Sequence, residues 1–343
     1  MSAGLKVLAP GLHTTVQDLG RAGYQAIGVP VSGALDGVNL RLANGLAGNP
    51  PGTPALEVLI SGPAFEIAGD TVRVALAGAG ASLAVGAERA RVDAGQSVTL
   101  PRGEVIEVLA GRQSACCYLA VEGGIAVPLV LGSASTYVRA AMGGLDGHAL
   151  RQEDFVPLAM ARASDRPELR LSSPVPATGD QPIRVVLGPQ QDFFIEEAVT
   201  ALLDGEFRVS HSADRMGMRL DGPLLRHRRG WDIVSDAIMT GAIQVPGSGQ
   251  PILLLADHQT TGGYPKIATV ISADLPVVGR RRPGDTLRFA AVTVEAAEAL
   301  CRDAERRLTE MLTRIEPVPD RPRIDLGSLY DGNLISGVVS GFD

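Results

Sequence analysis

The densest run of chemically capable side chains lies between Ala256 and Lys266, reading Ala-Asp-His-Gln-Thr-Thr-Gly-Gly-Tyr-Pro-Lys. It holds a carboxylate (Asp257), an imidazole (His258), an amide (Gln259), two hydroxyls (Thr260, Thr261), a phenol (Tyr264) and an ammonium (Lys266). A core strand has no use for such a set, and a plain turn rarely carries so many. Gly262 and Gly263 let the backbone approach a ligand closely or adopt positive φ. Thr260, Thr261 and the nearby backbone amides can hold an oxyanion. Lys266 can neutralise a phosphate or carboxylate, and Asp257 can orient His258 or bind a cation. Local caps by Asp257 and Thr260, with a hairpin turn at Gly262-Gly263, explain the same residues without a ligand. As a whole the segment reads as functional, with the preceding strand Gly241 to Pro246, which includes Gln244, lining the same pocket.

A second cluster runs from His211 to Leu220. Arg215 and Arg219, four residues apart, can grip a carboxylate or phosphate. They can equally pair with Asp214 and Asp221 as a surface network. His211 beside Ser212 suggests a base and a nucleophile, but the sequence fixes no third group to orient them. The basic run Arg226 to Arg229 with Trp231 reads as a solvated loop or a partner surface. Asp36 suits a helix cap better than catalysis.

Several chemistries are absent. There is no phosphate-binding Walker loop, no strand–GxGxxG–helix unit and no GxSxG elbow. No CxxC or HxxxH spacing points to a zinc site, so no metal is expected. No Met-Lys-Met biotin attachment site is present. A net charge of −7 argues against a nucleic-acid surface, which needs clustered cations. The three cysteines, two of them adjacent, make no disulfide framework. Without a signal-like N-terminus or a spanning apolar run, the expected compartment is the cytoplasm.

The elements that must position these groups are mostly strands. Abundant glycine and scarce aromatics suit short strands and tight turns. Strands are predicted at Val72 to Ala77, Ser97 to Leu100, Val105 to Leu109 and Cys116 to Val121, a sandwich or barrel spacing. Later strands are predicted at Ile183 to Leu187, Phe207 to Ser210, Ala242 to Val245, Ile252 to Ala256, Ile267 to Ile271 and Thr286 to Ala291. Helices are predicted at Asp36 to Leu46, from Gly188-Pro189 to about Leu203, and at Val294 to Ile315, where an apolar stripe opposes a charged face. The proline-rich stretch Asp165 to Pro182 divides the chain into units at 1–170 and 180–315, with a tail at 316–343. A faint echo, Ser32/Asp36/Arg41 against Ser212/Asp214/Arg219, hints at two related units.

The motifs Thr15 to Arg21, Gly28-Val29-Pro30, Ser32-Gly33-Ala34, Gly48-Asn49-Pro50, Tyr118 to Val121, Leu131-Gly132-Ser133, Asp214 to Gly217 and Gln259 to Pro265 resemble the carboxyltransferase subdomain A/B family. This family is also called allophanate hydrolase subunit 2. The resemblance implies a mainly β fold with a few helices, built as tandem cyclophilin-like β-barrel domains. It implies a subunit of an ATP-dependent complex that hydrolyses 5-oxoproline to glutamate. The implied partners are a carboxyltransferase subdomain C/D-type subunit and a lactam-utilisation subunit, with ATP bound in the assembled complex and this chain inactive alone. Other members imply biotin-dependent carboxyl transfer to urea, or a regulatory protein that antagonises a kinase inhibitor. Under the first reading Asp257, Lys266, Asp236 and His211 are the catalytic candidates. Gln244, Gln259, Thr260, Thr261, Gly262, Gly263, Tyr264, Asp214 and Arg215 are the substrate-binding ones. Asp236 stands where the family more often carries Glu, and Cys117 where it more often carries Arg.

Overall fold

The computed structural model describes residues 3–172 and 179–319. The fold is mainly β, with four α-helices among the described residues. In the first half, two sheets lie face to face. The six-stranded one runs in the order Phe155–Pro157, Gly4–Ala9, Ala64–Ile67, Val105–Leu109, Ser82–Val85, Ala90–Asp93. The seven-stranded one runs His13–Gln17, Ala55–Leu59, Cys116–Val121, Thr71–Ala77, Gln96–Pro101, Leu169–Leu171, Ile315–Pro317. Alternate residues of both sheets, such as Leu5, Phe65 and Ile106 from one and Leu56, Val74 and Leu119 from the other, fill the space between them.

The outer face of the seven-stranded sheet is also covered. Ala75, Ala77, Cys116, Tyr118 and Ala120 pack against Leu40, Leu42, Ala43 and Leu46 of helix α1, Gly37–Ala47. This explains why Cys116 to Val121 is apolar without alternation: the strand is buried on both faces. Helix α1 starts where Asp36 accepts from the amides of Val38 and Asn39, both at 3.1 Å, and ends at Gly48.

The second half is one eight-stranded sheet, nearly closed into a barrel. Its order is Thr286–Leu287, Phe207–Ala213, Gly217–Asp221, Ile252–Leu254, Ala242–Gln244, Lys266–Val270, Ile183–Leu187, Phe289–Ala291. The two edge strands are consecutive in sequence, separated only by Arg288, so one chain segment bridges both edges. Val185, Phe207, Leu220, Ile243, Leu253 and Ile267 fill its core.

Three local expectations change. Helix α2 begins at Glu196, not at Gly188-Pro189. Gly188 takes φ 97°, outside the helical region, and a single turn at Gln191–Phe193 intervenes before Glu196 and Glu197 supply the acidic first turn. A short helix α3 at Leu275–Gly279 was not anticipated. Helix α4, Val294–Thr313, does not belong to the second unit alone. It packs on both α1 and the strand Ile183–Leu187, and Ile315–Pro317 then joins the first half's sheet beside Leu169–Leu171. Most of the expected tail lies outside the described residues. The sequence echo also dissolves: Asp36 caps a helix, whereas Asp214 closes a strand–strand turn.

The two halves are joined by buried contacts. Asp36 receives two bonds from Arg280, at 2.5 and 3.1 Å, with Asp36 fully buried. Ala115 N donates to Arg280 O at 2.7 Å, and Ser32 N to Ala256 O at 3.1 Å. At Gly279 a Cβ would stand 2.4 Å from the carbonyl oxygen of Leu35, so only glycine lets the backbones meet this closely.

Candidate functional site

The loop residues do not surround one cavity. They divide between two neighbouring clefts and the scaffold around them. The first cleft has a volume of about 440 Å³ and lies along the hairpin formed by Phe207–Ala213 and Gly217–Asp221. His211 and Asp214 reach it from the hairpin, and Gln244, Gln259 and Tyr264 from the strand and loop beyond. The second, of about 400 Å³, lies between the halves. Leu12, His13 and Ile60 line it from one side, and Arg215, Met216 and Asp257 from the other. Arg139, Ala213, Asp214 and Met216 border both clefts.

Asp214 is fixed as a turn residue, its Oδ1 accepting from the amides of Met216 at 2.7 Å and Gly217 at 3.2 Å. His211 is exposed, and among the described residues no hydrogen bond joins it to Ser212, so no nucleophile–base pair is formed. Gln244 is 2% exposed, and its Nε2 meets only Tyr264 O at the marginal distance of 3.5 Å. A Cβ at Gly262 would lie 2.8 Å from that Nε2 and 2.6 Å from Ile238 Cδ1. The glycine therefore makes room for the Gln244 amide. Neither Gly262 nor Gly263 takes positive φ.

Arg215, a substrate-binding candidate from sequence, and Asp257, a catalytic candidate, are partners of each other. Arg215 Nε and Nη2 donate to the two Asp257 oxygens at 2.8 and 3.0 Å. Its Nη1 donates to Glu57 and its Nη2 also to Gly33 O at 2.7 Å. Burial would lower the pKa of Arg215, but Glu57 and Asp257 outweigh it and raise the value. Glu57 is itself held by Tyr118, at 2.5 Å, and by the amide of Leu35 at 2.8 Å. Bonded through both oxygens to Arg215, Asp257 acts as a counter-ion in the joint between the halves, on the wall of the second cleft.

Lys266 and Asp236 form a further pair. Lys266 Nζ, buried, donates to Asp236 Oδ2 at 2.8 Å and to Ala237 O at 3.2 Å. Asp236, exposed, also accepts from Gln190 at 3.2 Å, and its pKa lies below the ordinary value chiefly because Lys266 bonds to it. The short pairing of Asp236–Ala237 with Thr261–Gly262 ties this corner to the loop. Lys266 thus anchors the loop's end, and its charge is already answered. Thr260 is buried, its carbonyl receiving the amide of Ile238 at 3.0 Å, and Thr261 is exposed.

His258 turns away from Asp257. Its Nδ1 contacts Gln259 O at 2.6 Å, and its Nε2 contacts Thr240 Oγ1 at 3.1 Å. A carbonyl can only accept, so Nδ1 carries the proton and Nε2 accepts from the threonine. Burial holds its pKa below 6.5, despite the opposing pull of Gln259 O and Asp257. His13 is shifted in the same direction, first by burial and then by Arg215, and its Nδ1 is buried without a partner among the described residues. Below pH 6.5 the unfolded chain takes up protons at these positions that the folded chain refuses. Stability should therefore fall as the pH drops below that value. Urea denaturation at several pH values should show His258→Gln losing part of this slope.

Sequence reasoning missed Arg139, which belongs to a loop of the first half with no motif around it. Glu57, the other carboxylate on Arg215, is central in Ala55–Leu59 and fully buried. The signal was available: Glu57 is the one charged residue in an apolar strand, Ala-Leu-Glu-Val-Leu.

The model of the carboxyltransferase domain, subdomain A and B, matches residues 27–291. This chain belongs to the carboxyltransferase subdomain A and B family. Among relatives, it is 34% identical to the C subunit of 5-oxoprolinase from Escherichia coli (strain K12), covering 91% of this chain and 98% of that protein. It is 31% identical to urea amidolyase of Saccharomyces cerevisiae, over 86% of this chain but only 17% of that much longer protein. The crystal structure of the Kluyveromyces lactis urea carboxylase contains a similar fold, with a TM-score of 0.81 and 30% identity over 93% of this chain and 30% of that one. As a carboxyltransferase A and B chain, the molecule carries the family's fold on both sides of the clefts. Among the described residues no helix is long and apolar enough to cross a membrane.

Proposed function

We propose that this carboxyltransferase A and B chain is a subunit of an ATP-dependent complex that opens the lactam ring of 5-oxoproline to give glutamate, working in the cytoplasm and inactive alone. The observation that carries this reading is end-to-end correspondence. The chain matches the 5-oxoprolinase C subunit over 98% of that protein, whereas the urea amidolyases contain the same region as 17% of a larger polypeptide. The first cleft suits a small amide: Gln244 and Gln259 can each donate to a carbonyl and accept from an N–H, and Tyr264 can do either. Hydrolysis adds water across the lactam C–N bond, leaving a carboxylate and an amine. The chain's part is to hold the ring so that attack on its carbonyl carbon is aligned.

Lys266, the cation of the loop, is committed to Asp236 and offers no free ammonium to a phosphate. On this reading ATP is held with the help of the other subunits, a C/D-type chain and a lactam-utilisation chain. An open apolar rim beside the cleft supports such docking. Trp231, Val234 and Met239 are 53%, 92% and 71% exposed, and Trp231 lies 6.4 Å from the Tyr264 ring.

Co-expression with the two partner subunits tests this. The purified assembly should hydrolyse ATP only when 5-oxoproline is present, and avidin should not inhibit it. Avidin-sensitive carboxyl transfer to urea would replace the reading with the biotin-dependent one. An assembly that hydrolyses no ATP would favour a purely regulatory role.

A further inference from the structure

We propose that Arg139 and Arg219 together hold a carboxylate in the first cleft, so that the site selects an anionic cyclic amide over a neutral amide. This deepens, and rests on, the reading that the cleft takes 5-oxoproline.

Arg139 arrives from the opposite half of the chain. It sits on the single turn Val138–Ala140, braced by the Tyr137–Met142 pair, where Tyr137 N donates to Met142 O at 2.8 Å. Its nearest carboxylate is Asp214, at 4.0 Å, with the two side chains 62% and 63% exposed. A contact that long and that wet leaves the guanidinium free to turn to a ligand. Arg219 stands on the second strand of the hairpin and lines the same cleft. Among the described residues no carboxylate pairs with it.

The wall of the cleft therefore offers two guanidinium groups against the single carboxylate of Asp214. A concave surface with cations in excess draws anions, and a guanidinium fork matches a carboxylate in shape. Asp214 cannot swing away, because the amides of Met216 and Gly217 hold it. Its charge favours a monoanion over a phosphate dianion. Beside His211, the rest of the polar lining, Ser212, Gln244, Gln259 and Tyr264, is able to donate and accept without carrying charge. A lactam that also carries a carboxylate answers both sets. Urea offers the arginines a carbonyl oxygen but no charge.

The test compares 5-oxoproline with 2-pyrrolidinone, the same ring without the carboxylate, in the assembled complex. The wild type should prefer 5-oxoproline. In Arg139→Gln and Arg219→Gln, the ratio of kcat/KM for 5-oxoproline to that for 2-pyrrolidinone should fall about 10- to 100-fold, mainly through KM. Arg139→Lys should recover part of it. An unchanged ratio would overturn the proposal. Binding separates this from the activity itself. 5-Oxoproline should bind the complex without ATP, and the isolated chain, more tightly than 2-pyrrolidinone does, and the double variant should lose that difference. Such binding without turnover would discard the 5-oxoprolinase reading and keep the carboxylate site. Displacement of 5-oxoproline by inorganic phosphate at equal concentration, or no preference for 5-oxoproline, would refute the carboxylate site.

Discussion

Replacing Arg215 by Met should destabilise the protein by roughly 3–5 kcal/mol, the cost of stranding buried charge when one partner is removed. Two carboxylates depend on this guanidinium: Glu57, fully buried in the first half, and Asp257, 5% exposed in the second. Without it, they would sit close together in a medium that solvates neither. Urea denaturation of the isolated chain measures the loss. Adding Glu57→Gln and Asp257→Asn to the Arg215→Met background should return part of it, because the stranded charges are then gone. A loss below about 1 kcal/mol in the single variant would mean that water reaches this joint and that the pair behaves as an exposed one. The expected loss comes from the joint, so a fall in activity of Arg215 or Asp257 variants would not by itself mark either as catalytic.

Replacing Gln244 by Leu should do the reverse. The side chain is buried beside the first cleft, yet makes only one marginal hydrogen bond, so an apolar residue of similar bulk should leave folding and assembly nearly intact. Turnover of 5-oxoproline by the assembled complex should drop on the order of 100- to 1,000-fold, the usual consequence of deleting a preorganised donor to a reacting carbonyl. Size-exclusion chromatography would confirm assembly, and product formation would give the rate. Turnover within about twofold of wild type would remove the Gln244 amide from the reaction.

The strand frame was legible because apolar, β-branched runs alternate with glycine turns, and Asp36 announced the first helix by its capping chemistry. The start of helix α2 was not, because a proline after glycine looks like a first turn while Gly188 in fact takes positive φ. The site was harder. The loop from Asp257 to Lys266 was recognisable as dense in polar groups, but composition does not say which of them face each other. Arg215 is taken up by Asp257 of its own half and Glu57 of the other, and Asp236 consumes Lys266. What remains for a ligand, Gln244, Gln259, Tyr264 and His211, was named from sequence for its chemistry. Arg139 was not, because it is far from the others along the chain and only the packing of the halves brings it to the cleft.

The most direct measurement is a crystal structure of the assembled complex soaked with 5-oxoproline. The ring should appear between the hairpin Phe207–Asp221 and Gln244, with its amide within hydrogen-bond reach of the Gln244 or Gln259 side chain. Electron density for the ligand at any other place, with this cleft left to solvent, would contradict the assignment.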